Sequence, residues 1–256
     1  MDGIAYRRWS VPVAAFLSGS KGGTGKTTLC VLAALLGKKR GLRSLIVDLG
    51  ESGNTTSLLA KSVDPPFFTD YLLGRAAWGD TIVEVEPGLY LAPSPPDFSL
   101  EDVRALLGVD RGARERYAAF FSKLEGHVDI VYIDFPAFPF KSYSHLLSPV
   151  DTVVLVVNPD PLSYTAALHT YTGSAFVVPV LNKYHPAATY WKDLLEDSFN
   201  EEIILVPFDV TLSFLLRPNI GGVEKYVDSA TRRAVGELVT RLLARPLRPA
   251  VQPYKG

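Results

Sequence analysis

Six stretches of the chain are almost continuously apolar: 11–18 (VPVAAFLS), 43–48 (RSLIVD), 127–134 (HVDIVYID), 151–158 (DTVVLVVN), 175–182 (AFVVPVLN) and 202–207 (EIILVP). They are rich in Val and Ile and do not alternate cleanly with polar residues, which predicts strands covered on both faces. Helical patterns lie between them. Residues 26–41 are apolar through the middle, turn basic and stop at Gly41, a C-terminal glycine signal. Residues 99–108 open with Ser99 and Asp102, the looser acidic form of a capping box. Residues 112–126 place Tyr117, Phe120, Phe121 and Leu124 at helical spacing, and a last long helix is expected over 223–244. Strands alternating with helices predict an α/β fold with a mostly parallel sheet and right-handed crossovers. No internal repeat and no dividing linker is visible, so one domain over 1–256 is expected, with a frayed Pro-rich tail from about 246.

Composition changes this picture little. The chain has 256 residues and a formal net charge of −1, so no global basic field points to nucleic acid. Its single cysteine, Cys30, excludes an intrachain disulfide and any four-cysteine metal or cluster site, and reads as a small core residue. The apolar run of the N-terminus is short and leads straight into a glycine-rich loop, so it reads as a strand rather than a signal peptide. No stretch stays apolar for the ~20 residues of a membrane span. A cytoplasmic location is the expectation.

The chemistry begins at residues 18–28, SGSKGGTGKTT. Gly19, four residues, then Gly25, Lys26 and Thr27 satisfy G-x-x-x-x-G-K-[ST] between an expected strand and helix. In that setting successive backbone N–H groups curl around a β-phosphate, and the helix N-terminus adds its positive end. Gly22, Gly23, Thr24 and Gly25 form the cradle. Lys26 reaches the β- and γ-phosphates, the Thr27 hydroxyl ligates Mg²⁺, and Thr28 contacts the α-phosphate. Asp134 ends an apolar strand in IVYID, where a carboxylate can hold Mg²⁺ through water. Asp129 reads as a solvated residue at the start of that strand.

Lys21 is a second lysine that the phosphate-loop pattern does not require. With it, KGGTGKTT resembles the deviant Walker A motif, KGGxGK[ST], of the ParA/MinD family of partition and positioning ATPases. The likeness extends through 43–59, 68–94, 127–138 and the VLNKYHP and ILVPFDV segments, nearly the whole chain. It implies a three-layer P-loop NTPase with a mostly parallel central sheet flanked by helices. It implies ATP and Mg²⁺ as ligands, and an ATP-sandwich homodimer in which Lys21 reaches the partner's phosphates in trans. Such a cation neutralises charge on a transferring phosphoryl group as an arginine finger does. The bland alternative is a solvated lysine beside a loop. By resemblance Asp48 lies near the Mg²⁺, Asn182 contacts the adenine edge, and Pro207 and Asp209 flank the base. N-K-Y-H at 182–185 begins like the guanine reader N-K-x-D but has His185 where the Asp should stand, which favours ATP over GTP.

One departure is plain. The family reads D-x-D where this chain has Asp48, Leu49, Gly50, so the carboxylate that orients the attacking water in relatives is missing. Either Glu51 takes its place or hydrolysis is slow. Three readings follow. A partition ATPase would bind DNA non-specifically and answer to a ParB-like adaptor, with Arg217, Lys225, Arg232, Arg233, Arg241 and Arg245 as DNA-facing candidates, or simply as the solvated side of helices. A MinD-like switch would need a C-terminal membrane anchor, but Pro246 cuts the Leu238, Val239, Leu242, Leu243 stripe short, and core packing is favoured. A scaffold would hold ATP almost without turnover.

Overall fold

A computed structural model of the chain describes residues 10–60, 62–137, 140–170, 172–214, 223–245 and 247, with backbone alone at 140–143 and 213–214. Among them the strands are β1 (Val13–Leu17), β2 (Ser44–Asp48), β3 (Val83–Glu86), β4 (Leu89–Ala92), β5 (Ile130–Asp134), β6 (Thr152–Val157), β7 (Phe176–Tyr184) and β8 (Ile204–Pro207). They form one sheet in the order β3-β4-β2-β5-β1-β6-β7-β8. All pairs are parallel except β3–β4, an antiparallel pair at one edge. The helices are α1 (Lys26–Lys39), α2 (Asn54–Leu59), α3 (Phe68–Leu72), α4 (Leu100–Val103), α5 (Arg111–Ser122), α6 (Pro161–Leu168), α7 (Thr189–Phe199), α8 (Val210–Phe214) and α9 (Ser229–Ala244).

Successive residues of a strand point to opposite faces, and this divides the core in two. Val13, Ala15 and Leu17 of β1 join Tyr117, Phe120 and Phe121 of α5 on one face. Ala14 and Phe16 join α1 and α9 on the other. The result is the expected three-layer α/β arrangement. Helix α1 is buried continuously from Leu29 to Gly37. A helix that is apolar all round needs cover all round, and the sheet and α9 supply it. Cys30 is fully buried within it. Truncating Leu32, 1% exposed, to Ala would cost about 2–5 kcal/mol.

The six expected strands are present with ends trimmed by one to three residues, apart from the fifth of them, 175–182, which runs on to Tyr184. Three helical expectations need correction. Residues 223–244 are not one helix: a short 3₁₀ turn (Val223–Lys225) precedes α9, which starts afresh with Asp228 as N-cap, its carboxylate accepting from Ala230 N at 2.7 Å. The Ser99–Asp102 capping box is formed, but after Val103 the helix widens into a π-turn over Arg104–Val109. The 112–126 helix ends at Ser122. The β3–β4 hairpin was not anticipated. Its signal lies in the alternation of Val83, Glu84, Val85 and Glu86 before a Pro87-Gly88 turn, weakened because this edge strand is half-exposed. Residues 246 and 248–256, on which the frayed-tail expectation bears, lie outside the described residues, as does Arg217.

Chain order places the site. From β1 the chain crosses to β2 on one side, and from β5 it returns past β1 to β6 on the other. A crevice opens at the carboxyl ends of the strands where crossovers diverge. Register then fixes two carboxylates side by side, because Asp48 of β2 pairs with Asp134 of β5.

Candidate functional site

The loop from Gly19 to Gly25 joins β1 to α1 with left-handed backbone at Gly23 (φ 73°) and Gly25 (φ 98°), which only glycine adopts without strain. Gly25 also has no room for a side chain, since a β-carbon there would lie 2.4 Å from Asn182 Nδ2. Ser18, which sequence reasoning passed over, ties the loop together. Its Oγ donates to Lys21 O at 2.6 Å and accepts from Lys26 Nζ at 3.0 Å. Lys26 is 8% exposed. Burial lowers its pKa, against the raising pull of the Asp134 and Glu51 charges.

Behind the loop sit the two carboxylates, both fully buried. Asp134 Oδ2 accepts from Thr27 Oγ1 at 2.7 Å and Thr55 Oγ1 at 2.9 Å. Its Oδ1 is buried with no hydrogen-bond partner among the described residues. Asp48 is more fully engaged. Oδ2 accepts from Thr56 N and Thr56 Oγ1, each at 2.8 Å, and Oδ1 accepts from Gly50 N at 3.0 Å. Burial, and then the neighbouring Asp134 charge, push Asp48 up to about 7 despite those bonds. Burial also raises Asp134, opposed by the Thr27 and Thr55 hydroxyls and by Lys26.

Gly50 sits against this pair. A β-carbon there would lie 3.2 Å from both Asp134 Oδ2 and Asp48 Oδ1. Glycine thus leaves open the space beside the two carboxylates. Glu51 is exposed on the following turn, with its charge felt by Lys26.

A cleft of about 590 Å³ is lined by Gly23, Gly25, Lys26, Thr27 and Thr28 at one end and by Asn182, Pro207 and Asp209 at the other; Gly22 and Thr24, also expected from sequence, are not among its lining residues. Three further details were not anticipated. Asn182 Nδ2 donates to Thr24 O at 2.7 Å, which leaves Oδ1 as the acceptor. Lys183, left-handed at φ 57°, donates from Nζ to Gly23 O at 3.1 Å. Phe208 lines the cleft and is 54% exposed. Asp209 is a tether as much as a lining residue, accepting from Thr211 N and from Asp228 N at 2.8 Å each. Lys21 lies outside the cleft, half-buried, and its charge acts on Asp160, the N-cap of α6. Burial would raise the Asp160 carboxyl, but bonds from Ser163 and the Lys21 charge hold it below the usual range.

The AAA_31 family profile, described as an AAA domain, matches residues 14–172, from β1 through α6. The chain belongs to the AAA_31 family. The motif resemblance to ParA/MinD P-loop ATPases is thereby upheld. Over 239 residues the chain is 26% identical to an uncharacterized ATP-binding protein of Methanocaldococcus jannaschii, covering 90% of this chain and 88% of that one. In fold it is similar to the septum site-determining protein MinD of Pyrococcus horikoshii, solved with Mg-ADP (TM-score 0.69, 22% identity, 91% of this chain and 96% of that one). It is also similar to a ParA family ATPase of Chlorobium tepidum (TM-score 0.72, 18% identity, 90% and 99%). Members of the ParA/MinD family hydrolyse ATP.

Of the AAA_31 chain's six DNA-facing candidates, two are already ion-paired. Arg241 meets Glu202 at 2.7 Å and Glu237 at 2.5 Å, and Arg245 meets Glu201 at 2.9 Å. Lys225, Arg232 and Arg233 are exposed and carry no ion pair among the described residues. The Leu238, Val239, Leu242 stripe of α9 is core, each 2% exposed or less. No helix among the described residues is long and apolar enough to cross a membrane.

Proposed function

We propose that this chain is an ATP-driven dimeric switch of the partition type, built to hold its nucleotide and to hydrolyse it slowly. One observation carries the reading. At the head of the phosphate loop, Thr27 and Asp134 meet with a buried carboxylate oxygen left over, and Gly50 stands where a third carboxylate would be.

The residues fit Mg²⁺. A hydroxyl and a carboxylate are hard oxygen donors, and Mg²⁺ bound with a nucleotide takes its remaining ligands from phosphate and water. The absence of any cluster of three His, Cys, Asp or Glu among the described residues is therefore no obstacle. Thr27 and Asp134 would hold the ion, with Asp48 as their support, since its own oxygens are occupied. When bound, Mg²⁺ supplies neutralisation of charge across the β- and γ-phosphates.

The chain's own groups do the rest. Lys26 exchanges Ser18 for phosphate oxygens. Asn182 Oδ1 accepts from the 6-amino group of adenine and would face the 6-oxo group of guanine with like polarity. Pro207 and Phe208 cover the base. Lys21 crosses to the phosphates of a second copy. No carboxylate stands at position 50 to orient water, and Glu51 is the remaining acid that could reach. Lys225, Arg232 and Arg233 form the DNA-facing surface, and a ParB-like adaptor in the cytoplasm resets the switch.

The test is molar mass by light scattering together with ATP turnover, with and without ATP and DNA. The expected result is an ATP-dependent dimer, lost in Lys21→Ala while ATP still binds. Turnover should be slow, and Gly50→Asp should raise it by about tenfold or more. A monomer indifferent to ATP would sink the proposal. A dimer in which Gly50→Asp leaves turnover unchanged would favour the scaffold reading.

A further inference from the structure

A second hollow, of about 420 Å³, has in its wall Phe98, whose backbone is bonded to the Glu51–Gly53 turn. Leu73, Phe98, Ala105 and Leu106 give it an apolar lining. Asp97, Asp102 and Asp110 also line it, all three exposed, and no lysine or arginine does. Asp102 spends Oδ2 on Ser99 and Asp110 spends Oδ1 on Ala113 N. Apolar surface continues past the rim. Leu73 is 38% exposed, and Val109, one residue before Asp110, is 78% exposed.

The wall of this hollow is bonded to the switch. Phe98 O accepts from Ser52 N at 2.7 Å. Gly53 (φ 55°) packs so closely that a β-carbon would lie 3.0 Å from Ser94 O and 3.2 Å from Pro95 O. Ser94 N donates to Thr56 Oγ1 at 3.2 Å, and the Ser94 hydroxyl donates to Asp48 O. Another wall is the π-turn, a rare form that is frequent at functional sites.

We propose that this hollow is the docking point for a segment of a partner protein that presents an arginine or lysine beside apolar side chains, and that its occupancy bears on the Gly50–Gly53 turn. Charge complementarity selects the occupant. Three carboxylates around an apolar floor suit a cationic head on an aliphatic stem. The exposed Leu73 and Val109 extend the apolar surface beyond what one side chain covers, which favours a peptide over a small cation. The coupling, unlike the docking, rests on the nucleotide reading of the cleft.

The experiment uses the full chain and two fluorescein-labelled heptapeptides, Gly-Leu-Arg-Leu-Arg-Leu-Gly and the same peptide with Glu for Arg, followed by anisotropy. The expected result is saturable binding of the Arg peptide alone. Asp97→Lys should weaken it by about tenfold or more. Ala105→Trp, which fills the hollow, should do the same, with thermal melts confirming that both variants fold. Peptide and a fluorescent ATP analogue should shift each other's affinity equally, by about fivefold. Binding of both peptides alike, or binding untouched by both variants, overturns the docking. Asp97-dependent peptide binding with equal nucleotide affinity in its presence and absence supports the docking and overturns the coupling. The same peptide binding in a chain that takes up no nucleotide also supports the docking, and it is the cleft reading that fails.

Discussion

At the phosphate end of the cleft, side chains are committed before any ligand arrives. Ser18 joins Lys21 to Lys26, Thr27 and Thr55 share one oxygen of Asp134, and Thr56 and Gly50 close around Asp48. At the base end, Phe208 stands half in solvent, Lys183 holds a left-handed backbone to reach Gly23 O, and Asn182 keeps one oxygen in reserve. Both ends are built from strand termini. They differ in what the chemistry needs. Charge neutralisation requires groups fixed in a dry setting where reorganisation is already complete. Recognition of a flat ring tolerates open walls and depends on a few well-placed contacts.

The sharpest way to break this comparison is at the phosphate end. Asp134→Asn should lower single-turnover ATP hydrolysis by about a hundredfold or more, while nucleotide binding in EDTA, followed by fluorescence, stays close to that of the parent chain. Loss of binding without loss of the catalytic step would reverse the roles assigned to the two ends. Next comes pH. Folded Asp48 titrates near 7 against an ordinary 3.8. Between those values the folded state keeps a proton that the unfolded chain has released. Stabilisation from this group is therefore complete below about pH 4 and fades as the pH rises to about 7. Urea titrations of the nucleotide-free protein should show that decline, by a few kcal/mol, and Asp48→Asn should flatten it. An unchanged slope in that variant would place the buried charge elsewhere.

Smaller effects are expected at the base end. Asn182→Ala removes both a brace on Thr24 O and the proposed adenine contact. It should weaken ATP by about tenfold and GTP by less, read by competition titration. Phe208→Ala should cost about threefold to fivefold in affinity, with turnover of the bound nucleotide unaltered. A larger loss for Phe208 than for Asn182 would mean that ring burial, not edge contact, dominates recognition.

The phosphate end was legible because its residues are contiguous and their spacing is dictated by the loop. Gly19 to Thr28 and the strand-ending Asp48 and Asp134 could be placed from the chain alone. The apolar strands predicted a mostly parallel sheet, but not the β2–β5 register that sets the two carboxylates side by side, because a parallel arrangement alone does not fix which residues pair. Thr55, Thr56 and Ser94 were not legible. Their hydroxyls matter only because separate turns bring them to one point, and Ser and Thr are common in turns for unrelated reasons. Lys183 was hidden for a similar reason: nothing in N-K-Y-H says that the lysine folds back on the loop. The π-turn escaped because Arg104–Val109 keeps an ordinary helical pattern, so its widening is a tertiary effect. The break before α9 had a signal in Asp228, an N-cap residue read at first as helix interior.

The ion pairs on α9 have a kinetic consequence. Glu202 and Glu237 on Arg241, with Glu201 on Arg245, cancel charge within one face, and the whole sequence carries 26 basic against 27 acidic residues. Such a molecule has little long-range field with which to steer an approaching copy of itself. Its self-association should proceed at the unsteered rate of about 10⁵–10⁶ M⁻¹s⁻¹ and respond weakly to ionic strength. In the proposed dimer, how long two copies stay together would then be governed by how fast they part, and so by the fate of the nucleotide between them.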